Sequence, residues 1–455
     1  MTTFFLESAE PVILCAPRKV LLKNKSDQMR PGSHYYYQLL GPAEERAWRK
    51  SHQGMSKVQT NYAELQNYLG VATINGEVPK ILCTYDSLPH VLRALQGCPF
   101  QFRVVIDEAH TIFGDTELKP EKTEALCKLL SELETEITYI SATPDKENFD
   151  RIEYFGDLTY VELQWDPSRV IEQAVRYVRT DSTLRSALEV IKGYQATGAF
   201  QSTPSGEIAR EAVFFINDVA KICRIIRESE LTPADVNIIC SDMSKPKIRR
   251  NLGKGWKIGV PPKAGEPHKT FTFCSKTAFM GCDFYSPCAY TYIFADSNIK
   301  NMTSDISLDL PQILGRQRLD CNPFKSEATV FVNTTTGRIE SEAEFKARTG
   351  AKISGSDAAV IQFAKLDQAS LCELVSNPFK LDTSYLVLLD DYQVSRRTVI
   401  RSEMRRVAEE RAWRLRNMIS RSLVGEAPHP GRFPRLGYHR GFQVLSGIPR
   451  GYLRH

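Results

Sequence analysis

Four short apolar runs in the first third of the chain, Val12 to Ala16, Lys80 to Thr84, Arg103 to Asp107 and Ile137 to Ser141, each end on a small or polar residue. Runs this short and this apolar read as strands buried on both faces, the condition of a parallel sheet covered by helices. A second series follows a polar, Gly/Ser/Thr-rich segment at Thr197 to Gly206. Its members are Ala212 to Ile216, Val236 to Cys240, Thr270 to Cys274, Tyr290 to Ala295 and Ala328 to Asn333. Two such series in tandem predict an α/β chain with two domains of one type, and ligands of such sheets gather at the carboxyl ends of the strands.

The remaining segments read differently. The Tyr-rich stretch between Pro31 and Val78 predicts helices around the second strand. Residues 340 to 395 read as a mixed helical extension, and Met404, Val407, Ala408, Leu415, Met418 and Ile419 recur at helical spacing. From Ala427 onward Pro, Gly and Arg dominate, a composition that predicts disorder. The expected boundaries are a first domain over 1–163, a second over 164–340, an extension over 341–426 and a basic tail over 427–455.

The longest apolar stretches, such as Tyr385 to Leu389, are far too short to cross a bilayer, and no membrane partner is expected. The N-terminus lacks the basic region and apolar core of a secretory signal. Eleven cysteines form no C-x-x-C pair, and several (Cys15, Cys83, Cys240) sit inside apolar runs. This is the usage of reduced thiols in an intracellular, cytoplasmic protein. His268, Cys274, Cys282 and Cys288 match no common zinc spacing. The net charge of +5 is uneven: residues 396 to 455 hold fourteen Arg, no Lys and four acidic residues, which leaves the first 395 residues at −5.

The chemistry starts at Asp107 and Glu108. A strand that delivers two adjacent carboxylates at its end places one to hold Mg2+, usually through water, and the other to orient and deprotonate an attacking water. An apolar strand can end in Asp-Glu by chance, but the continuation through Ala109 and His110 is more specific. Ser141-Ala142-Thr143-Pro144 follows the next apolar run.

Asp107-Glu108-Ala109-His110 resembles motif II of superfamily-two helicases of the DEAD/DEAH-box type, and Ser141-Ala142-Thr143 resembles motif III. The resemblance runs in order over about residues 1 to 335. Pro17, Arg18 and Lys19 resemble part of motif Ia, and Thr84 opens a string similar to motif Ib. Phe214 to Asn217 ends a strand as motif IV does. Ser275 to Asp283 is similar to motif V, with Ser275 in place of the usual Thr. Gln312-Ile313-Leu314-Gly315-Arg316-Gln317-Arg318 resembles motif VI.

This likeness implies two tandem RecA-like parallel-sheet domains that clamp ATP and Mg2+, plus a mainly helical C-terminal extension and a basic, disordered tail. It implies catalytic roles for Glu108, Asp107, Gln312, Arg316 and Arg318, with the two arginines as finger candidates. Thr2, Thr3, His110, Gly281 and Asp283 would lie at the cofactor, with Asp107 and Thr2 on Mg2+. Pro17, Arg18, Lys19, Thr84 and Ser275 would contact nucleic-acid backbone, and Ser141 and Thr143 would couple the two sites. An arginine finger contributes about three to five orders of magnitude in rate.

A phosphate-binding loop of the form G-x-x-x-x-G-K-[ST] occurs nowhere in the 455 residues. By the resemblance, Met1-Thr2-Thr3-Phe4-Phe5-Leu6 continues as the helix after that loop would, with Met1 where its Lys should be and Thr2 where its hydroxyl should be, so the chain is expected to start inside the loop. A late start assignment, a truncation and a true loss each account for this. Three functions follow: an ATP-dependent helicase or translocase on nucleic acid; a catalytically impaired or truncated nucleic-acid-binding relative; and the motor subunit of a nuclease or remodelling assembly. DNA is expected ahead of RNA, with protein partners in a replication or repair assembly of microbial or viral origin. In the Arg-rich tail, Trp413, Phe433, Tyr438, Phe442 and Tyr452 are candidates for stacking on bases. The alternative is a solvated tail, or a helix that packs on the second domain through Met404, Leu415 and Met418.

Overall fold

A computed structural model of the chain describes residues 2–115, 120–142, 146–156, 158–163, 174–199, 202–203, 206–279, 282–303, 309–333, 340–375, 385–391, 396–410, 412–413 and 442–447. Met1, Thr143, Gly281, Leu415, Met418, Ile419, Phe433, Tyr438 and Tyr452 from the sequence reading lie outside the described residues. The chain forms two compact units. One comprises Met1–Gln164, Glu342–Glu409 and Gly441–His455, and the other Trp165–Ser341 and Glu410–Arg440.

The first unit contains β1 (Val12–Ala16), β2 (Tyr35–Tyr37), β3 (Lys80–Thr84), β4 (Arg103–Asp107), β5 (Ile137–Ser141) and β6 (Thr159–Leu163). The second contains β7 (Ala174–Arg179), β8 (Glu211–Ile216), β9 (Val236–Ile239), β10 (Phe271–Cys274), β11 (Ala289–Asp296) and β12 (Glu327–Asn333), parallel throughout in the order β7-β12-β11-β8-β10-β9. Both series of buried runs are therefore strands, and the fold class is the expected α/β one, with two parallel-sheet domains in tandem. Full burial explains their legibility: β1 and β5 are buried at every residue, and such positions select apolar side chains at about 1.5–3 kcal/mol each.

The tail departs from expectation, and the extension carries more than helices. After the helices Glu342–Phe363 and Gln368–Val375, the expected mainly helical extension adds an antiparallel hairpin, β13 (Leu386–Asp391) with β14 (Arg396–Arg401). Within the tail, where disorder was expected, Phe442–Gly447 is a strand, β15, set antiparallel between β5 and β6. The first sheet thus reads β2-β3-β1-β4-β5-β15-β6. Its strand signal is hidden by the Gly, Pro and Arg around it, and the physical reason for its order is the ladder that β5 needs on its second side.

Helix boundaries follow local chemistry. Ser56 accepts from the Gln59 amide while the Gln59 side chain accepts from the Ser56 amide, a capping box that starts the helix Lys57–Asn75, and Gly76 closes it at φ 64°. In the second unit Asp218 accepts from the amides of Ala220 and Lys221 to start Val219–Glu228, and Ser182 starts Thr183–Thr197 in the same way. Lys80 is buried at the start of β3, and its ammonium donates to the carbonyls of Phe5, Ser8 and Glu10 at 3.1, 2.8 and 2.6 Å. Burial lowers its pKa, and the contacts pin the segment that follows the helix Thr2–Glu7 to the sheet.

Residues 403–410 are helical. Met404 and Val407 enter the core of the first unit, beside Leu126 and Leu130, not a face of the second domain. Two carboxylates organise this packing. Burial pushes Glu409 up, but Arg348, Tyr385 and Lys352 hydrogen-bond to it and hold its pKa below the usual value. Glu124 is 1% exposed, accepts from the Ser402 hydroxyl and the Met404 amide, and has its pKa raised by burial over the lowering effect of those bonds. A carboxyl with a raised folded pKa stabilises fully below its unfolded value of 4.5, and that contribution is lost as pH rises through the folded value. Glu124→Gln keeps an acceptor for Ser402 and removes the charge. At about pH 8 it is expected to melt at or above the wild-type temperature, with the gap closing on acidification, as followed by circular dichroism. A wild-type advantage that grows with pH would contradict this.

Candidate active site at the strand ends of each unit

In the first unit the register brings the sequence-predicted residues into one row. Ala16 pairs with Thr84, Cys15 with Ile106 and Asp107 with Ile140. Ala16, Thr84, Asp107 and Ile140 are therefore level at the carboxyl edge, and Pro17, Glu108 and Ser141 stand one residue beyond. This edge is where open parallel sheets hold ligands.

Asp107 is tied from three sides. Its Oδ1 accepts from the Glu108 amide at 3.1 Å, its Oδ2 faces the Thr2 hydroxyl at 3.5 Å, and its carbonyl accepts from the Tyr85 hydroxyl at 2.5 Å. The carboxyl keeps an accessible edge, yet the protein packed around it raises its pKa, against Lys25, the Glu108 amide and the Thr2 hydroxyl, which lower it. Burial likewise pushes the Tyr85 phenol well above its usual value.

Glu108 adopts φ 55°, left-handed backbone that costs a non-glycine residue about 1–2 kcal/mol. The turn is imposed by the Ala109 amide, which donates to the Ile140 carbonyl at 2.9 Å, and by the Thr111 amide, which donates to Glu108 at 2.9 Å. It sets the Glu108 carboxylate 3.5 Å from His110 Nδ1, which also lies 2.9 Å from Ser141 Oγ. Glu108, His110 and Ser141 thus form one line from β4 to β5, with His110 and Ser141 buried.

Arg18 precedes the helix Lys19–Gln28, its guanidinium donating to the Pro17 carbonyl at 3.1 Å, and Pro17 is buried. Lys19 lies 3.8 Å from Glu44, both side chains half exposed. Thr84 and Ser87 share a hydroxyl contact of 2.8 Å. Thr3 is exposed on the helix Thr2–Glu7.

The second unit gathers its own group. Arg316, 7% exposed, donates through Nε to the Phe279 carbonyl at 2.9 Å, through Nη2 to Gln312 at 2.6 Å and through Nη1 to Asp283 at 3.4 Å. Arg318 is partly exposed and donates to the same Asp283 oxygen at 2.8 Å. Ser275 is buried, its amide donating to Ile239 at 3.0 Å, and the next amide, of Lys276, donates to Asn217 at 3.0 Å. Trp413 donates its indole N–H to the Glu340 carbonyl at 3.0 Å.

The sequence reading missed a cavity of about 380 Å3 at the carboxyl edge of this sheet, lined by Ser182, Asp218, Lys221, Arg224, Asp296 and Asn333 among others. Asp296 and Asn333 end β11 and β12 and bond each other at 3.1 Å. The strand-end rule that picked Asp107 applies to them equally.

The donor set of the first unit fits Mg2+, a hard cation that takes one or two carboxylates or hydroxyls and keeps several waters. Asp107 and Thr2 supply such oxygens. No Gly-rich phosphate cradle stands beside them among the described residues. Also among those residues, no group of three or more His, Cys, Asp or Glu is placed to hold a metal, and no helix is long and apolar enough to cross a membrane.

No family model matches the chain, and no curated protein does. Among solved structures it is similar to the Escherichia coli DEAH/RHA helicase HrpB, with 13% identity, TM-score 0.33, and 73% of this chain and 41% of that one covered. A second structure, the E. coli DExH-box NTPase HrpB, gives 12% identity and TM-score 0.36 over 80% and 41%. The ATP-dependent Type ISP restriction-modification enzyme LlaBIII bound to DNA gives 12% and 0.36 over 75% and 27%. The chain spans less than half the length of each. Similarity this distant defines no activity, substrate or partner for it.

Asp283 is the shared anchor of Arg316 and Arg318. Asp283→Ala leaves a buried guanidinium short of its anion, and urea unfolding is expected to register a loss of about 2 kcal/mol, with Arg316→Lys also destabilising because an ammonium lacks the fork. An unchanged unfolding midpoint in Asp283→Ala would remove the pair from the list of stabilising contacts.

Proposed function

We propose that the chain carries the two domains of an ATP-dependent nucleic-acid helicase or translocase. The observation that supports this most is the strand-edge row that sets Asp107 and Glu108 beside Ala16-Pro17, Thr84 and Ser141. In this reading Asp107 and Thr2 hold Mg2+, which when bound neutralises phosphate charge. Glu108 orients and deprotonates water, and its contact with His110 links it to Ser141. Gln312 and Arg318 face phosphate. Arg316 is the inner member that fixes Gln312 and Asp283. Arg18, Lys19, Thr84 and Ser275 hold the backbone of a nucleic-acid strand, DNA ahead of RNA, and the work done serves replication, repair or a larger nuclease assembly.

A second reading is a nucleic-acid-binding relative that does not hydrolyse ATP. It is favoured by the absence of a G-x-x-x-x-G-K-[ST] string from the 455 residues. Backbone N–H groups and a Lys normally bind the terminal phosphates. Without them, hydrolysis by this chain is expected to be slow even with strand present. Steady-state phosphate release with and without single-stranded DNA measures it. Turnover that DNA stimulates and Glu108→Gln abolishes supports the motor; strand binding without turnover supports the second reading; neither property in folded protein sinks both.

Backbone contact has its own signature. Each phosphate neutralised contributes about 0.7–0.9 to the slope of log affinity against log salt. Arg18→Ala and Lys19→Ala are each expected to flatten that slope by about one contact in fluorescence anisotropy with single-stranded DNA. Unchanged slopes in both would remove these residues from the interface.

A further inference from the structure

Strand β5 is buried at every residue, so its amides and carbonyls need partners on both sides. β4 supplies one ladder. On the other side, β15 runs antiparallel to β5 and to β6, so β5 and β6 run parallel to each other with a gap one strand wide. The chain leaves β5, passes through the helix Lys146–Arg151 and enters β6 without filling that gap. The filler comes from the far end of the sequence. The walls are joined by their own crossover, and β15 is the one strand in the sheet that runs against the rest. The register places Gln443 opposite Ser141, and Val444 opposite both Ile140 and Val161.

We propose that the gap between β5 and β6 is a strand-acceptor site, that the chain's own Phe442–Gly447 segment occupies it reversibly, and that this occupancy holds the end of β5 where Ser141 meets His110. Recognition is by strand addition, in which main-chain hydrogen bonds supply affinity.

The full chain tests it. Paired residues of adjacent antiparallel strands lie within disulfide range. Val161→Cys combined with Val444→Cys is expected to form an intramolecular disulfide under mild oxidation that neither single variant forms. A disulfide-linked dimer would place the strand in a second copy, and no bond would leave the gap without this occupant; either overturns the proposal. Val444→Pro removes a ladder amide and is expected to speed hydrogen exchange across Ile137–Ser141 by about tenfold or more. A synthetic peptide of residues 440 to 449 should restore protection. Reversibility is read from the same peptide, fluorescently labelled, which should enter the wild-type chain slowly and the oxidised double-cysteine chain not at all. Unchanged β5 exchange in Val444→Pro, or no peptide uptake by wild type and Val444→Pro alike, overturns the proposal even where Val444→Pro itself folds poorly, since the disulfide and wild-type peptide arms stand without it.

Discussion

Every buried parallel strand must satisfy its main-chain polar groups sideways, because no water reaches them. That single requirement fixes register, and register fixes chemistry. Once β1 is laddered to β3 and β4, and β4 to β5, the residues that end those strands have to come out level. Asp107 and Thr84 reach one edge although they lie on different strands and share no local sequence. The tight turn at Glu108 is a further product of the same ladders, since the Ala109 amide continues the hydrogen bonding of β4 to β5.

What sequence reveals follows from burial. Strands such as β1, β5 and β11, buried at every position, stand out as apolar runs. β7 alternates between exposed and half-buried, and β6 lies at an edge with Val161 exposed, so neither has such a run. β2 is three tyrosines, equally compatible with other backbones until β3 takes them as a partner. The site divides similarly. Strand ends are legible, and Asp296 and Asn333 at the ends of β11 and β12 follow the same rule in the second sheet. The grip of Lys80 on the first helix and the Tyr85 hydroxyl on Asp107 join residues distant in sequence, and only the folded chain brings them together. Exposure is likewise invisible in a motif: Arg316 and Arg318 look equivalent in the string, yet one is buried in its own unit and the other is partly open.

The buried carboxylates show how differently a protein can keep the same group. Glu409 is surrounded by Arg348, Lys352 and Tyr385, and its charge is stabilised. Glu124 meets a hydroxyl and an amide, with burial outweighing both, and its charge is a burden. Glu409 ties together residues within 342–409, whereas Glu124 joins that segment to the helix Pro120–Glu132 through Ser402 and Met404, so one internal contact favours ionisation and one bridging contact opposes it.

The left-handed backbone at Glu108 also bears on how the chain can change over generations. Glycine would occupy that conformation without strain, and asparagine with less than most residues. Chance substitution at this position therefore has a downhill direction in local backbone energy, away from the carboxylate. Glu108 stands against that slope: a glycine there would relax the backbone but remove the carboxylate that faces His110.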